Sequence, residues 1–189
     1  MSEQNTNLDH LMVDIETLGD QSGSVIVSLG AVQFDILTCE TGETFYSRID
    51  IDSCLKAGLK VTGSTIRFWM DKSEEARLEL TRGGENLIEV LNDFTAFVEG
   101  IEHRIKKDIQ IWSRGVRFDI ALLTDAYQAV GATTPWPFRG ERDVRTLEAL
   151  RPQIYKDAAL FRKYVEHLPI EDCLFQIAYC SKIWKAINP

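Results

Sequence analysis

The stretch Asp9–Thr17, DHLMVDIET, decides how the rest of the chain is read. Leu11, Met12 and Val13 form an apolar run, and Asp14-Ile15-Glu16 then alternates acid, hydrocarbon, acid. Successive side chains of an extended strand leave on opposite faces. Asp14 and Glu16 therefore share one face, and Val13 and Ile15 share the other, which is suited to apolar packing. Two carboxylates side by side repel each other, so a fold that keeps them together needs a compensating cation. Oxygen-only donors of this kind suit a hard dication such as Mg²⁺ or Mn²⁺. Taken alone, the D-x-E spacing is weak, because it is common at exposed strand ends.

Reading outward, SVIVSLGAVQFD at 24–35 is a second strand rich in Val and Ile, and ETFYSRID at 43–50 alternates like a third. Turn signals at Gly19–Gly23 and at Thr41-Gly42 separate them, which predicts an antiparallel meander. Helical periodicity then takes over. A helix begins at Ser64, and Ser73 is placed to cap the next. NLIEVLNDFTAFVE at 86–99 puts Leu87, Val90, Leu91, Phe94, Phe97 and Val98 on one face. DIQIWS at 108–113 is a fourth strand, RFDIALLTDAYQAV at 117–130 a helix, and a short fifth strand falls near 139–143. Asp143 reads as the N-cap of a helix over 144–151. The last helix, from about 171 to 187, carries the stripe Cys173, Ile177, Cys180, Ile183/Trp184 and Ile187. This order predicts an α/β fold, a mixed five-stranded sheet with helices packed on it.

Bulk properties bound the function. Hydrophobic residues make up 44% of the 189, enough for a core without disulfide staples. Residues 1–7 read as a mobile tail and 8–189 as one domain. The start of the chain has no basic, apolar leader, and no stretch is apolar enough for a membrane span, so a cytoplasmic protein is expected. Cys39, Cys54, Cys173 and Cys180 form no CxxC pair and are expected reduced. The net charge of −8 argues against tight binding of long duplex through phosphates. The charge is uneven: residues 1–100 carry 7 basic side chains against 18 acidic, whereas 101–189 carry 14 against 11. A basic flank on an acidic protein fits the holding of a short single-stranded end.

Two further features join Asp14 and Glu16. Asp119 sits in the first turn of the helix after strand four, where a helix dipole or capping role is the plain alternative. His167 precedes Asp172 by five residues, at the entry to the last helix. Each feature proves little by itself. Together, four acids and a histidine recur in the order strand one, strand-four helix, last helix.

With DIETLG at 14–19, GVRFDIALL at 115–123 and HLPIED at 167–172, the chain resembles the DnaQ-like 3′–5′ exonucleases of the DEDDh type, which have an RNase H-like fold. VIVSLGAVQFD at 25–35, TGSTIRFWMDKSEEAR at 62–77 and RDVRTLEAL at 142–150 are similar to the small bacterial and phage RNase AS-like exoribonucleases and the exonuclease-VIII-like proteins grouped with them. A DEDDy enzyme would carry Tyr at position 168, which here is Leu168. Arg114-Gly115-Val116-Arg117 before the second motif and Pro169 in the third depart from the usual pattern, and neither touches a metal ligand.

The resemblance implies two divalent cations, Mg²⁺ or Mn²⁺. Asp14 would bridge them, Glu16 and Asp172 would complete one site, and Asp119 would support the second. It implies His167 as general base, a free 3′ end of single-stranded RNA or DNA as substrate with RNA slightly favoured, and nucleoside 5′-monophosphate as product. The backbone at Thr17 and Leu18 would lie against the terminal sugar. Trp69 is nominated to stack on a base, while Phe68 and Trp112 fit apolar patterns and are expected in the core. Arg114 and Arg117, beside Asp119, are nominated to grip phosphates, with plain surface solvation as the competing view. A homodimer is compatible with the resemblance. Three rivals remain: an endonuclease of the RNase H class, a catalytic subunit active only within a larger replication or processing complex, and a degenerate nucleic-acid-binding module. The last would be expected to lack an acid, and all four are present.

Overall fold

The computed structural model describes residues 8–163 and 165–188; the tail expected at 1–7 lies outside them. Its sheet has five strands: β1 (His10–Thr17), β2 (Ile26–Phe34), β3 (Thr41–Arg48), β4 (Gln110–Ser113) and β5 (Glu141–Asp143). They lie in the order β3-β2-β1-β4-β5. β1, β2 and β3 form the expected antiparallel meander, and β4 and β5 continue the sheet in parallel with β1. β1 thus has a neighbour on each side, and Leu11, Met12 and Val13 are fully buried. β2 is buried along its whole length, as expected of a strand covered on both faces.

Eight α-helices complete the described residues: α1 (Ile51–Lys56), α2 (Gly63–Met70), α3 (Glu74–Thr81), α4 (Leu87–Ile105), α5 (Asp119–Ala129), α6 (Val144–Leu150), α7 (Pro152–Leu160) and α8 (Pro169–Ile187). The expected caps are made. Ser73 accepts from the Ala76 N–H and Asp143 from the Thr146 N–H, each satisfying a donor that the first helical turn leaves open. Two helices were not anticipated. α1 is only six residues long, under its Asp50 cap. α7 starts directly behind α6 with a proline in its first turn and buries no residue fully; Ile154, Tyr155 and Ala158 give it only a short, half-buried apolar face. α8 begins at Pro169 rather than 171, because proline is well tolerated where the N–H has no helical partner.

The sheet separates two cores. On one face Leu11, Val13 and Ile15 of β1 pack with Leu91, Phe94 and Val98 of α4 and Leu122, Leu123 and Ala126 of α5. On the other, Met12, Val32, Phe34 and Trp112 meet Val144 and Leu147 of α6 and the stripe Cys173, Ile177, Cys180 and Ile183 of α8. All four cysteines are free thiols; Cys39 is half-buried and the other three are buried. Among the described residues no helix is long and apolar enough to cross a membrane.

Candidate active site

The alternation of β1 carries the site. Val13 and Ile15 are spent on the α4–α5 core, so Asp14 and Glu16 turn to the α8 face, at the end of the sheet where β1 leaves its register with β2 between Glu16 and Thr17. Asp14 lies opposite Gly30 of β2. A Cβ at position 30 would stand 2.5 Å from the Pro169 Cβ. Only glycine therefore lets the first turn of α8 come down onto the sheet beside Asp14. That turn delivers Asp172.

Ligand oxygens of Asp14, Glu16 and Asp172 all lie within 4.8 Å of one another. Asp119, at the first position of α5 and 5% exposed, lines the same cleft but lies outside that tight group. Its loop is held by Asp143, which accepts from the Val116 N–H at 3.0 Å. The cleft has a volume of about 540 Å³ and also takes in Arg114, Arg162, His167 and Gln176.

Burial and mutual repulsion dominate the electrostatics. Burial, then the charges of Asp119, Glu16 and Asp172, holds Asp14 well above the usual carboxylate range. Glu16 is raised likewise, by burial and then by Asp172 and Asp119. Burial pushes Asp119 up to about 7, against the pull of the Ile15 backbone and the Arg145 charge. Such a cluster of hard oxygen donors is matched by a divalent cation, which relieves the repulsion and replaces the lost hydration. Asp14, Glu16 and Asp172, with Asp119 behind them, fit the metal centre that their motifs imply.

Two supporting side chains escaped sequence reasoning. The Gln176 amide donates to Asp14 Oδ1 at 2.9 Å and is itself 3% exposed. Arg162 donates to Asp172 Oδ1 at 2.5 Å, while the His167 N–H donates to Asp172 Oδ2 at 2.8 Å. Both carboxylates are thus fixed in rotation. Gln176 lies four residues after Asp172 on one helix face, which was a readable signal. Arg162 had none.

His167 reaches the cleft. Its Nδ1 stands 3.7 Å from Glu16 Oε1, and its ring lies edge-on to Phe68 and Trp69, with centroids at 5.2 and 5.7 Å. Burial and the nearby Lys72 charge lower its pKa, so the imidazole is neutral near pH 7. Its backbone is left-handed, with φ of 64°.

The other nominated residues divide. Trp69 is 2% exposed and donates from Nε1 to the Thr17 carbonyl at 2.8 Å, whereas Phe68 is 42% exposed on the cleft wall with the Lys72 ammonium over its ring. The expected exposures of these two neighbours are therefore reversed, because α2 turns its Trp69 side toward β1. Trp112 is in the core as anticipated. Thr17 lines the cleft with its hydroxyl bonded to the Gly19 carbonyl. Leu18 is buried, and its backbone is bonded to Val25 and Thr62. Arg114 lines the cleft paired with Glu148 and Tyr155. Arg117 is exposed and is not among the residues lining the cleft.

A sequence model of one family, described as the 3′-5′ exoribonuclease Rv2179c-like domain, matches residues 9–184. No curated protein matched the sequence. Solved structures share the fold at low identity. A full-length 3′-exonuclease superposes with a TM-score of 0.65 at 12% identity, over 94% of this chain and 81% of its own. The nuclease domain of 3′hExo, a DEDDh family member bound to rAMP, gives 0.64 at 12%, over 94% and 92%. E. coli exonuclease I in complex with a dA16 oligonucleotide gives 0.59 at 16%, over 95% of this chain but 42% of that larger protein. The five-stranded mixed sheet with its packed helices is the RNase H-like fold of these exonucleases.

Proposed function

The chain belongs to the 3′-5′ exoribonuclease Rv2179c-like family, and from that premise we propose that it removes nucleotides singly from the 3′ end of single-stranded nucleic acid, with RNA preferred, by phosphodiester hydrolysis with two divalent cations. The observation that carries this reading is the convergence of Asp14, Glu16 and Asp172 within 4.8 Å, on a cleft that also holds Asp119 and His167. Bound by these acids, Mg²⁺ or Mn²⁺ would neutralise the phosphate and acidify the attacking water. The chain's own residues do the rest. Gln176 donates to one oxygen of Asp14 and fixes the rotation of that carboxylate. The neutral imidazole of His167 takes the proton from water as its oxygen bonds to phosphorus. The bond to the 3′ oxygen of the penultimate nucleotide breaks, that oxygen gains a proton, and a nucleoside 5′-monophosphate leaves. Thr17 borders the sugar, the exposed ring of Phe68 walls the base with Trp69 packed behind it, and Arg114 sits toward the backbone phosphates.

The family description favours RNA, and the rAMP bound to the 3′hExo nuclease domain supports a ribonucleotide in this fold; the dA16 on exonuclease I shows that a related fold also takes DNA. Purified protein with Mn²⁺ and matched single-stranded RNA and DNA oligonucleotides tests the reading. Mononucleotides released in sequence from the 3′ end, faster from RNA, are expected. Internal fragments would indicate an endonuclease, and absence of any product from both polymers would sink the proposal.

A further inference from the structure

A second groove lies beside the cleft, between α7 and α8. Ile154, Asp157 and Ala158 of α7 form one wall, and Phe175, Ala178 and Lys182 of α8 the other, with a volume of about 410 Å³. Arg162 and Phe175 line both cavities. The Arg162 guanidinium lies 4.5 Å from the Phe175 ring centroid while also bonding Asp172. The two grooves therefore share a wall, and that wall ends on Asp172 of the acid cluster.

The groove's composition is unlike an ordinary surface. Phe161 is 79% exposed and Leu160 78% exposed, at the end of a helix with no fully buried residue. Lys163 and Lys182 stand exposed around them. The one acid in the lining, Asp157, is occupied by the Gln153 amide at 2.7 Å. An exposed ring, Phe161, flanked by cations is what a single strand can use: any base can stack on an aromatic face, and lysines track the phosphates regardless of sequence.

We infer that the α7–α8 groove holds the 5′ continuation of the single strand whose 3′ end occupies the active-site cleft. The inference rests on the exonuclease reading and adds the path of the substrate. Along α8, Asp172 and Lys182 are ten residues apart, about 15 Å of helix, a span that a strand running a few nucleotides beyond its 3′ end covers. Three nucleotides would be confined to the cleft; ten would fill the groove as well. Phe161 offers a ring to a base, and Lys163 and Lys182 pair with phosphates.

The test compares three- and ten-nucleotide single-stranded RNA, with Mn²⁺, on wild type, Phe161→Ala and Lys163→Glu/Lys182→Glu. All three sites are exposed, so melting temperatures should be unchanged. The expected result is a fall of about tenfold in kcat/KM on the ten-nucleotide strand, carried by KM, with the three-nucleotide strand within twofold of wild type. The salt dependence of binding the longer strand should lose about 1.4 from its logarithmic slope when two cations are removed, at ~0.7 per phosphate contact on single strands. If the variants lose equally on both lengths, or on neither, the groove does not carry the strand. If sedimentation shows that the variants lower the particle mass, the face is a subunit interface and the inference falls. Wild type inactive on both strands would sink the exonuclease reading itself, an outcome distinct from an active enzyme blind to length.

Discussion

The two faces of β1 are built to opposite ends. Toward α4 and α5, Leu11, Val13 and Ile15 sit in hydrocarbon with little exposure. Toward α8, the same strand begins as core with Met12 and then presents Asp14 and Glu16 to other acids. One face gains stability from every residue it buries. The other holds carboxylates whose charged forms are disfavoured by burial and by each other. The difference teaches where this fold gives up stability for chemistry: at two alternate positions on a strand whose other side anchors it.

Asp14→Asn would break the comparison most severely. Turnover should vanish in an oligonucleotide assay with Mn²⁺, while the metal-free protein should melt at a higher temperature than wild type, because one buried repulsive charge is gone. Leu91→Ala, on the opposite face, should do the reverse. It should cost about 2–5 kcal/mol in denaturant unfolding with turnover per folded molecule retained. A metal-free Asp14→Asn protein less stable than wild type would contradict the electrostatic account.

His167→Asn sharpens the division of labour within the polar face. Asparagine tolerates the left-handed backbone at 167, so the N–H to Asp172 should survive while the imidazole is lost. A fall of about 10²–10⁴ in kcat is expected, with Mn²⁺ affinity near wild type by calorimetry. Activity within a few-fold of wild type would remove His167 as the base.

Gln176→Leu should have a smaller effect. It frees Asp14 to rotate and should weaken Mn²⁺ binding by about 10–100-fold, read by calorimetric titration. Unchanged affinity would mean that Asp14 is held by its neighbours alone.

The subtlest effect concerns pH. Asp14, Glu16 and Asp119 have folded pKa values above those of the unfolded chain, Asp119 at about 7. Their contribution to stability is present below about pH 4 and is lost as pH rises through the folded values. Mn²⁺ should therefore raise the melting temperature more at pH 8 than at pH 5. An equal rise at both would show that these acids do not titrate as a buried set.

Much of this was legible from local signals. The alternation of 13–16, the caps at Ser73 and Asp143 and the stripe of α8 each depend on residues a few positions apart. The acids and His167 were nominated by motif, because three separate segments, β1, the start of α5 and the entry to α8, carry them, and the fold brings them to one cleft. What stayed hidden depends on the packing of distant elements. Arg162 meets Asp172 through the loop that enters α8. The face that Gln176 shares with Asp172 could be read, but not that its amide meets Asp14 across 162 positions of sequence. Phe68 and Trp69 exchanged their expected exposures because the short α2 gives periodicity little length in which to fix a face. α7 was missed because its apolar face, Ile154, Tyr155 and Ala158, is short and only half-buried.

Gly30 has a reach beyond its own strand. It is the point where hydrogen alone separates sheet from helix, directly across from Asp14, and so it sets how far apart the jaws of the acid cluster stand. Alanine there would spare the α4–α5 core yet push the first turn of α8 away from the sheet, widening the grip on any cation and loosening the second core where it meets α8. An atom that is missing thus calibrates the instrument.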